Sequence, residues 1–170
     1  MRRSLPSGRL SAKCRDMTGM VAGCPVALMD CSVFDSTIVG NRCNNGGGGA
    51  ANSDLTQCEV FNNSATWTDR PHGFGGGTYS CTVTDSVLAG NYAGYGGAAC
   101  NGYLENCVMT NNQATVYEGG ATYGASTRNC LVARNTAKMY YAACKGTHYG
   151  TLPLVQGRRE FPPSPNPWHP

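Results

Sequence analysis

Charge is scarce in this chain. Only 14% of its 170 residues are Asp, Glu, Lys or Arg, against roughly a quarter in an ordinary globular protein, so its surface must be built largely from neutral polar groups. No apolar run reaches the roughly 18 residues that announce a membrane helix. The start, MRRSLPSGRLSAKC, lacks the apolar stretch of about 7 to 15 residues that makes a signal peptide. The 10 cysteines contain no C-x-x-C pair, which argues against a zinc ribbon or a thioredoxin-like redox motif. Proline is almost missing from the middle of the chain, where Pro71 alone of the 9 prolines falls between residues 26 and 152. Apolar residues recur nowhere at helical spacing. A helical bundle and a membrane protein of helical type are thereby excluded, while 41% hydrophobic residues exclude a wholly disordered polar chain.

What is present is glycine, 23 residues of it, and a repeat. The pattern apolar-x-x-Asn-x-small recurs as Ile38 to Cys43, Val60 to Ala65, Leu88 to Ala93, Met109 to Ala114 and Val132 to Ala137. Its anchors Asn41, Asn63, Asn91, Asn112 and Asn135 are separated by 22, 28, 21 and 23 residues. Two positions before each apolar residue stands Ser36, Cys58, Ser86, Cys107 or Cys130, and three before that Val33, Leu55, Val83, Leu104 or Thr127. An aligned Gly-Gly-(Gly/Ala) triplet starts at Gly47, Gly75, Gly96 and Gly119. A decayed sixth copy, Tyr140 to Cys144, matches Ala-Ala-Cys-x-Gly at 98–102.

A period near 22 with short strand-like segments and small residues at fixed corners predicts an all-β fold, a right-handed parallel β-helix (β-solenoid) of five to six coils. Stacked coils repeat about every 4.8 Å, so like residues form ladders. Val60, Leu88, Met109 and Val132, with Leu55, Val83 and Leu104, are expected to fill the interior. The Asn column is expected to hydrogen-bond along the stack and to supply the left-handed backbone that tight turns need. The absence of proline agrees, since a strand paired on both edges cannot spare its N–H. Cys58, Cys107 and Cys130 share one repeat position, Cys31 and Cys81 another, and Cys100 and Cys144 a third. Because Ser or Ala replaces them in other copies, they are expected to be small core fillers rather than obligate bridges, although adjacent coils lie inside disulfide range.

The ends depart from the repeat. Residues 1–23 read as an irregular basic segment or degenerate coil, 24–156 as the solenoid, and 157–170 as a Pro-rich disordered tail, the whole being a piece of a longer solenoid. Overall the charge is +3, but residues 24–151 hold six Lys and Arg against eight Asp and Glu, a net of −2. Those six basic residues are scattered, so no nucleic-acid partner is expected.

The repeats resemble the right-handed β-helix repeats of the pectin-lyase-like superfamily, in particular polymorphic outer-membrane proteins and autotransporter passengers with GGA and FxxN elements. The matching residues are Gly97-Ala98 and Gly120-Ala121 for the first element, and Val60 to Asn63, Met109 to Asn112 and Val132 to Asn135 for the second. The resemblance implies an extracellular or cell-surface protein. It also implies one of two roles: a non-enzymatic module for adhesion or contact with polysaccharide or host-cell glycan, or a fragment of a polysaccharide-degrading enzyme whose catalytic coils lie elsewhere.

Between these, the residues favour the first. Asp35 and Asp85 share a column, but Gln57 lies between them, which puts the carboxylates about 10 Å apart, too far for a retaining pair and marginal for an inverting one. No catalytic, metal or cofactor residue is therefore assigned. The extra residues behind the 28-residue spacing form a loop that carries Trp67, Asp69, Arg70 and His72. That combination can stack on a sugar ring and bond its hydroxyls or a carboxylate.

Overall fold

The computed structural model describes residues 11–14, 28–66, 73–139, 141–149 and 154–155. The Pro-rich tail and the Trp67 to His72 loop lie outside the described residues, as does most of the basic N-terminal segment. Within them the chain is a parallel β-solenoid of about five coils with no helix.

Each coil contributes to three sheets of 11, 6 and 5 strands. The strands are short because every second or third residue after them must turn. In the first sheet, Val33, Leu55, Val83, Leu104 and Thr127 stand in one register column. In the second, Ile38, Val60, Leu88, Met109 and Val132 do the same. A third column, Cys43, Ala65, Ala93, Ala114 and Ala137, belongs to the third sheet. All these side chains are buried. Alternation along Cys31–Phe34, buried and exposed in turn, shows the two-residue period that puts one side in the core.

Four corners per coil carry positive φ, and each has its own column. One is Gly47, Gly75, Gly96, Gly119 and Tyr141, another Asp30, Asn52, Ser80, Asn101 and Gly124. The third is Asp35, Gln57, Asp85, Asn106 and Asn129, the fourth Gly40, Asn62, Gly90, Asn111 and Arg134. The last of these corrects the expectation for the Asn anchors. The left-handed residue is the one before each anchor, and the anchors themselves have ordinary φ because their side chains, not their backbones, do the turning work. In the glycine runs the second residue is glycine for space: a Cβ on Gly97 would sit 2.4 Å from Gly120 O and 2.5 Å from Gln113 N.

Two further expectations are corrected. Cys144 pairs in register with Thr122 and hence with Ala99, while Cys100 pairs with Tyr123. The decayed copy therefore aligns one residue away from where its Ala-Ala-Cys string suggests, because Tyr141 takes the corner that glycine holds in the other coils. And the cysteines are of two kinds. Cys58, Cys81, Cys100, Cys107, Cys130 and Cys144 are free, but Cys31 and Cys43, in the first coil of the described stack, are disulfide-bonded.

Beyond the fifth coil, Cys144–Lys145 and His148–Tyr149 continue the first sheet and Leu154–Val155 the second. At the other end, Ser11–Cys14 pairs antiparallel with Cys31–Phe34, occupying an edge that would otherwise be open to another chain. The outer face of the second sheet is less polar than the composition suggests, with Val39 and Leu131 both exposed.

Candidate functional site

Three ladders run the length of the solenoid, two inside its wall and one outside. In the Asn column, the backbone N–H and side-chain Nδ2 of each residue both donate to the Oδ1 of the next. Asn63 gives 3.0 and 3.1 Å to Asn91, and Asn91 gives 2.9 and 3.0 Å to Asn112. Asn41 joins at Asn63, and Asn112 at Asn135. The second Nδ2 hydrogen goes to a main-chain carbonyl, Val60 O for Asn91 at 2.8 Å and Leu88 O for Asn112 at 2.9 Å. These amides are buried yet fully partnered, as a dry polar group must be.

The Ser/Cys column explains its own alternation. Ser36, Ser86 and the thiols of Cys58, Cys107 and Cys130 each donate to the carbonyl two residues earlier. Ser86 Oγ also accepts from Cys58 N at 2.9 Å. The site requires a small donor that also accepts, which Ser and Cys satisfy and Ala does not.

On the outside, Asn106 donates to Asp85 at 3.0 Å and Asn129 to Asn106 at 2.7 Å. Gln57 separates Asp35 from Asp85 in the same corner column. Glu59 faces Thr37, and Glu105 faces Arg128 across 3.6 Å while accepting from Tyr103 at 3.1 Å. No group of three or more His, Cys, Asp or Glu suited to a metal occurs among the described residues, and no described helix is long and apolar enough to cross a membrane.

One concentration of side chains stands apart from these ladders, at the glycine corner. The residue before the glycine run is Phe74 in one coil and Tyr95 in the next, and Tyr117 follows one coil further on. Phe74 and Tyr95 stack at 5.0 Å and 13°, Tyr95 and Tyr117 at 4.3 Å and 11°. Tyr123 leans on Tyr95 at 4.9 Å and 59°, and Tyr79 on Phe74 at 6.4 Å and 56°. All five rings are half-buried. Lys145 closes one end, its Nζ 5.2 Å above the Tyr123 ring and paired with Glu118. Burial, together with the hydrogen bond to Tyr117, pushes the Tyr95 phenol up to about 12. Phe74 and Tyr95 sit at the corner directly before a glycine of positive φ; Gly46, beneath Tyr79, would bring a Cβ within 3.1 Å of that ring.

The residues Trp67, Asp69, Arg70 and His72 lie outside the described residues, but the base of their loop does not. A Cβ on Gly73 would lie 2.1 Å from Ala65 O and 2.8 Å from Thr66 N, so the loop leaves and returns at one point, immediately before Phe74. The aromatic corner itself is legible in the sequence as Phe74-Gly75 and Tyr95-Gly96. Glu118, an extra residue before Gly119, hides the third member from an alignment anchored on glycine.

No protein-family model, curated protein or solved structure matches the chain.

Proposed function

We propose that this chain is a non-enzymatic module of the pectin-lyase-like, right-handed β-helix type, secreted or held at a cell surface, which contacts glycans through its aromatic corner. The observation that carries the reading is the five-ring patch of Phe74, Tyr79, Tyr95, Tyr117 and Tyr123. A patch of half-buried rings bearing phenol hydroxyls offers apolar area and hydrogen-bonding groups together, the combination that the two faces of a sugar ring call for. Stacking locks the rings, so little side-chain freedom is lost on binding. The segment that carries Trp67, Asp69, Arg70 and His72 in the sequence is bounded by Thr66 and Gly73, which meet immediately before Phe74. The surface elsewhere is weakly charged, which suits neutral or mildly acidic saccharides better than polyanions. In register, no carboxylate of the described strands faces another in the neighbouring coil, which favours the non-enzymatic reading over an acid/base pair on these strands.

A glycan array tests it. The wild type is expected to bind a restricted set of saccharides, with at least a tenfold loss in Tyr117→Ala and Tyr123→Ala and a smaller loss in Trp67→Ala. Binding that is absent in the wild type, or unchanged in both tyrosine variants with their circular dichroism intact, would overturn it.

A further inference from the structure

In the Ser/Cys column, thiols occupy two neighbouring coils at one place. Cys58 lies between Ser36 and Ser86, but Cys107 is followed directly by Cys130. The ladder ties the two together: Leu131 N donates to Cys107 O at 2.8 Å, and Val108 pairs with Leu131. Neighbouring coils about 4.8 Å apart fall inside the Cα window of a disulfide, about 4.4 to 6.8 Å. The two thiols also interact with each other across the coils. That contact raises the proton affinity of Cys107 and lowers that of Cys130, so Cys130 is the thiol that ionises first.

We propose that Cys107 and Cys130 are a site of covalent modification, a cross-coil disulfide that forms under oxidising conditions and staples the fourth coil to the fifth. With a small-molecule disulfide such as glutathione disulfide as oxidant, the Cys130 thiolate attacks one sulfur and releases one glutathione thiolate. Cys107 then attacks the mixed disulfide, forming the Cys107–Cys130 bond and releasing the second glutathione. The protein loses two protons and two electrons, and both end in the two glutathione thiols. Both cysteines are only 1% exposed, so exchange proceeds while the chain folds or when the end coils open, which in a stacked repeat are the least supported. Coil five lies near such an end among the described residues: only the two-residue strands Cys144–Lys145, His148–Tyr149 and Leu154–Val155 pair on its outer side, and Met139 and Tyr141 are more than half exposed. Cys31 and Cys43, in the first coil, are each already disulfide-bonded, so with the staple both the first and the last full coils of the described stack would carry disulfides.

The test holds the full chain in a glutathione disulfide buffer, blocks remaining thiols with N-ethylmaleimide under denaturing conditions, and maps unreduced peptides by mass spectrometry. A Cys107–Cys130 linkage is expected. Alkylation of both residues, or linkage of Cys130 to Cys144 or Cys100 instead, overturns the proposal. As a second measurement, oxidation is expected to raise the melting temperature of the wild type and of Cys58→Ser but not of Cys107→Ser or Cys130→Ser. Serine is native to this column at 36 and 86, so the variants fold. An equal rise in all four proteins overturns the proposal as well.

Discussion

Asn91 makes four side-chain hydrogen bonds, two accepted from Asn63 and one donated to each of Val60 and Asn112, and it is completely buried. Asn91→Ala therefore does more than remove an amide; it strands the main-chain N–H and the Nδ2 of Asn63 in a site no water reaches. A buried group left without its partner costs about 1 to 3 kcal/mol, so the variant should lose roughly 3 to 5 kcal/mol. Asn41→Ala, at the end of the column and partly exposed, should lose about 1 kcal/mol. Urea denaturation of the two variants beside the wild type checks the ratio. At this scale the sequence is informative about which residues repeat and less so about why. The Asn anchors are visible as a column, but their ordinary φ is not, because a residue suited to left-handed turns reads the same whether its backbone or its side chain is used. Likewise Ser and Cys look like interchangeable small residues until their shared hydrogen bond to the carbonyl two positions back is seen.

Turns and strands form the next level, and there the glycines separate by what surrounds them. Gly40 has φ +69 and open space within 4 Å of where a Cβ would stand, whereas Gly97 meets backbone on three sides at 2.4 to 2.7 Å. Gly40→Ala should cost only the left-handed strain of about 1 to 2 kcal/mol, and Gly40→Asn less, since Asn62 and Asn111 already serve the same corner. Gly97→Ala requires the third and fourth coils to move apart, and is expected to give a chain that does not unfold cooperatively. Thermal melts followed by circular dichroism distinguish the two. The corners are legible as elements because glycine runs and the lone proline mark them. The full aromatic corner is not, since Glu118 shifts Tyr117 by one residue against its glycine run. Cys144 is hard to place for a related reason: Tyr141 replaces the corner glycine, and a string match then prefers the neighbouring register.

As a whole, the molecule is a dry tube whose thiols are dispersed along its length. Burial pushes Cys81 and Cys100 from the ordinary 9 up to about 12, and it raises Cys58 and Cys144 as well. For a thiol the protonated form is the neutral one. The unfolded chain therefore gives up these protons near pH 9 while the folded one keeps them to about pH 12. Their contribution to stability is complete below pH 9 and falls as pH rises toward 12, by about 1.4 kcal/mol per pH unit for each such thiol. Urea midpoints should thus fall between about pH 9 and 10.5, with a shallower fall in Cys81→Ser/Cys100→Ser. A midpoint independent of pH up to about 10.5 would refute the assignment. Because each coil is supported only by its two neighbours, ionisation in one coil weakens the stack on both sides of it.

The amides of the Asn column all point the same way. Every Asn from 41 to 112 gives its backbone N–H and one Nδ2 hydrogen forward to the next anchor's Oδ1, and no anchor Oδ1 accepts from the anchor after it; only the second Nδ2 hydrogen of Asn63, Asn91 and Asn112 turns back, to a main-chain carbonyl of the preceding coil. The solenoid is therefore a vector: its two faces along the axis are chemically unlike, one presenting acceptors and the other donors. A coil that continues the column past Asn135 must bring a carbonyl oxygen to the forward N–H groups, and the same coil turned end for end would bring donor to donor. Extension of the Asn column by a further coil is favoured in one polarity.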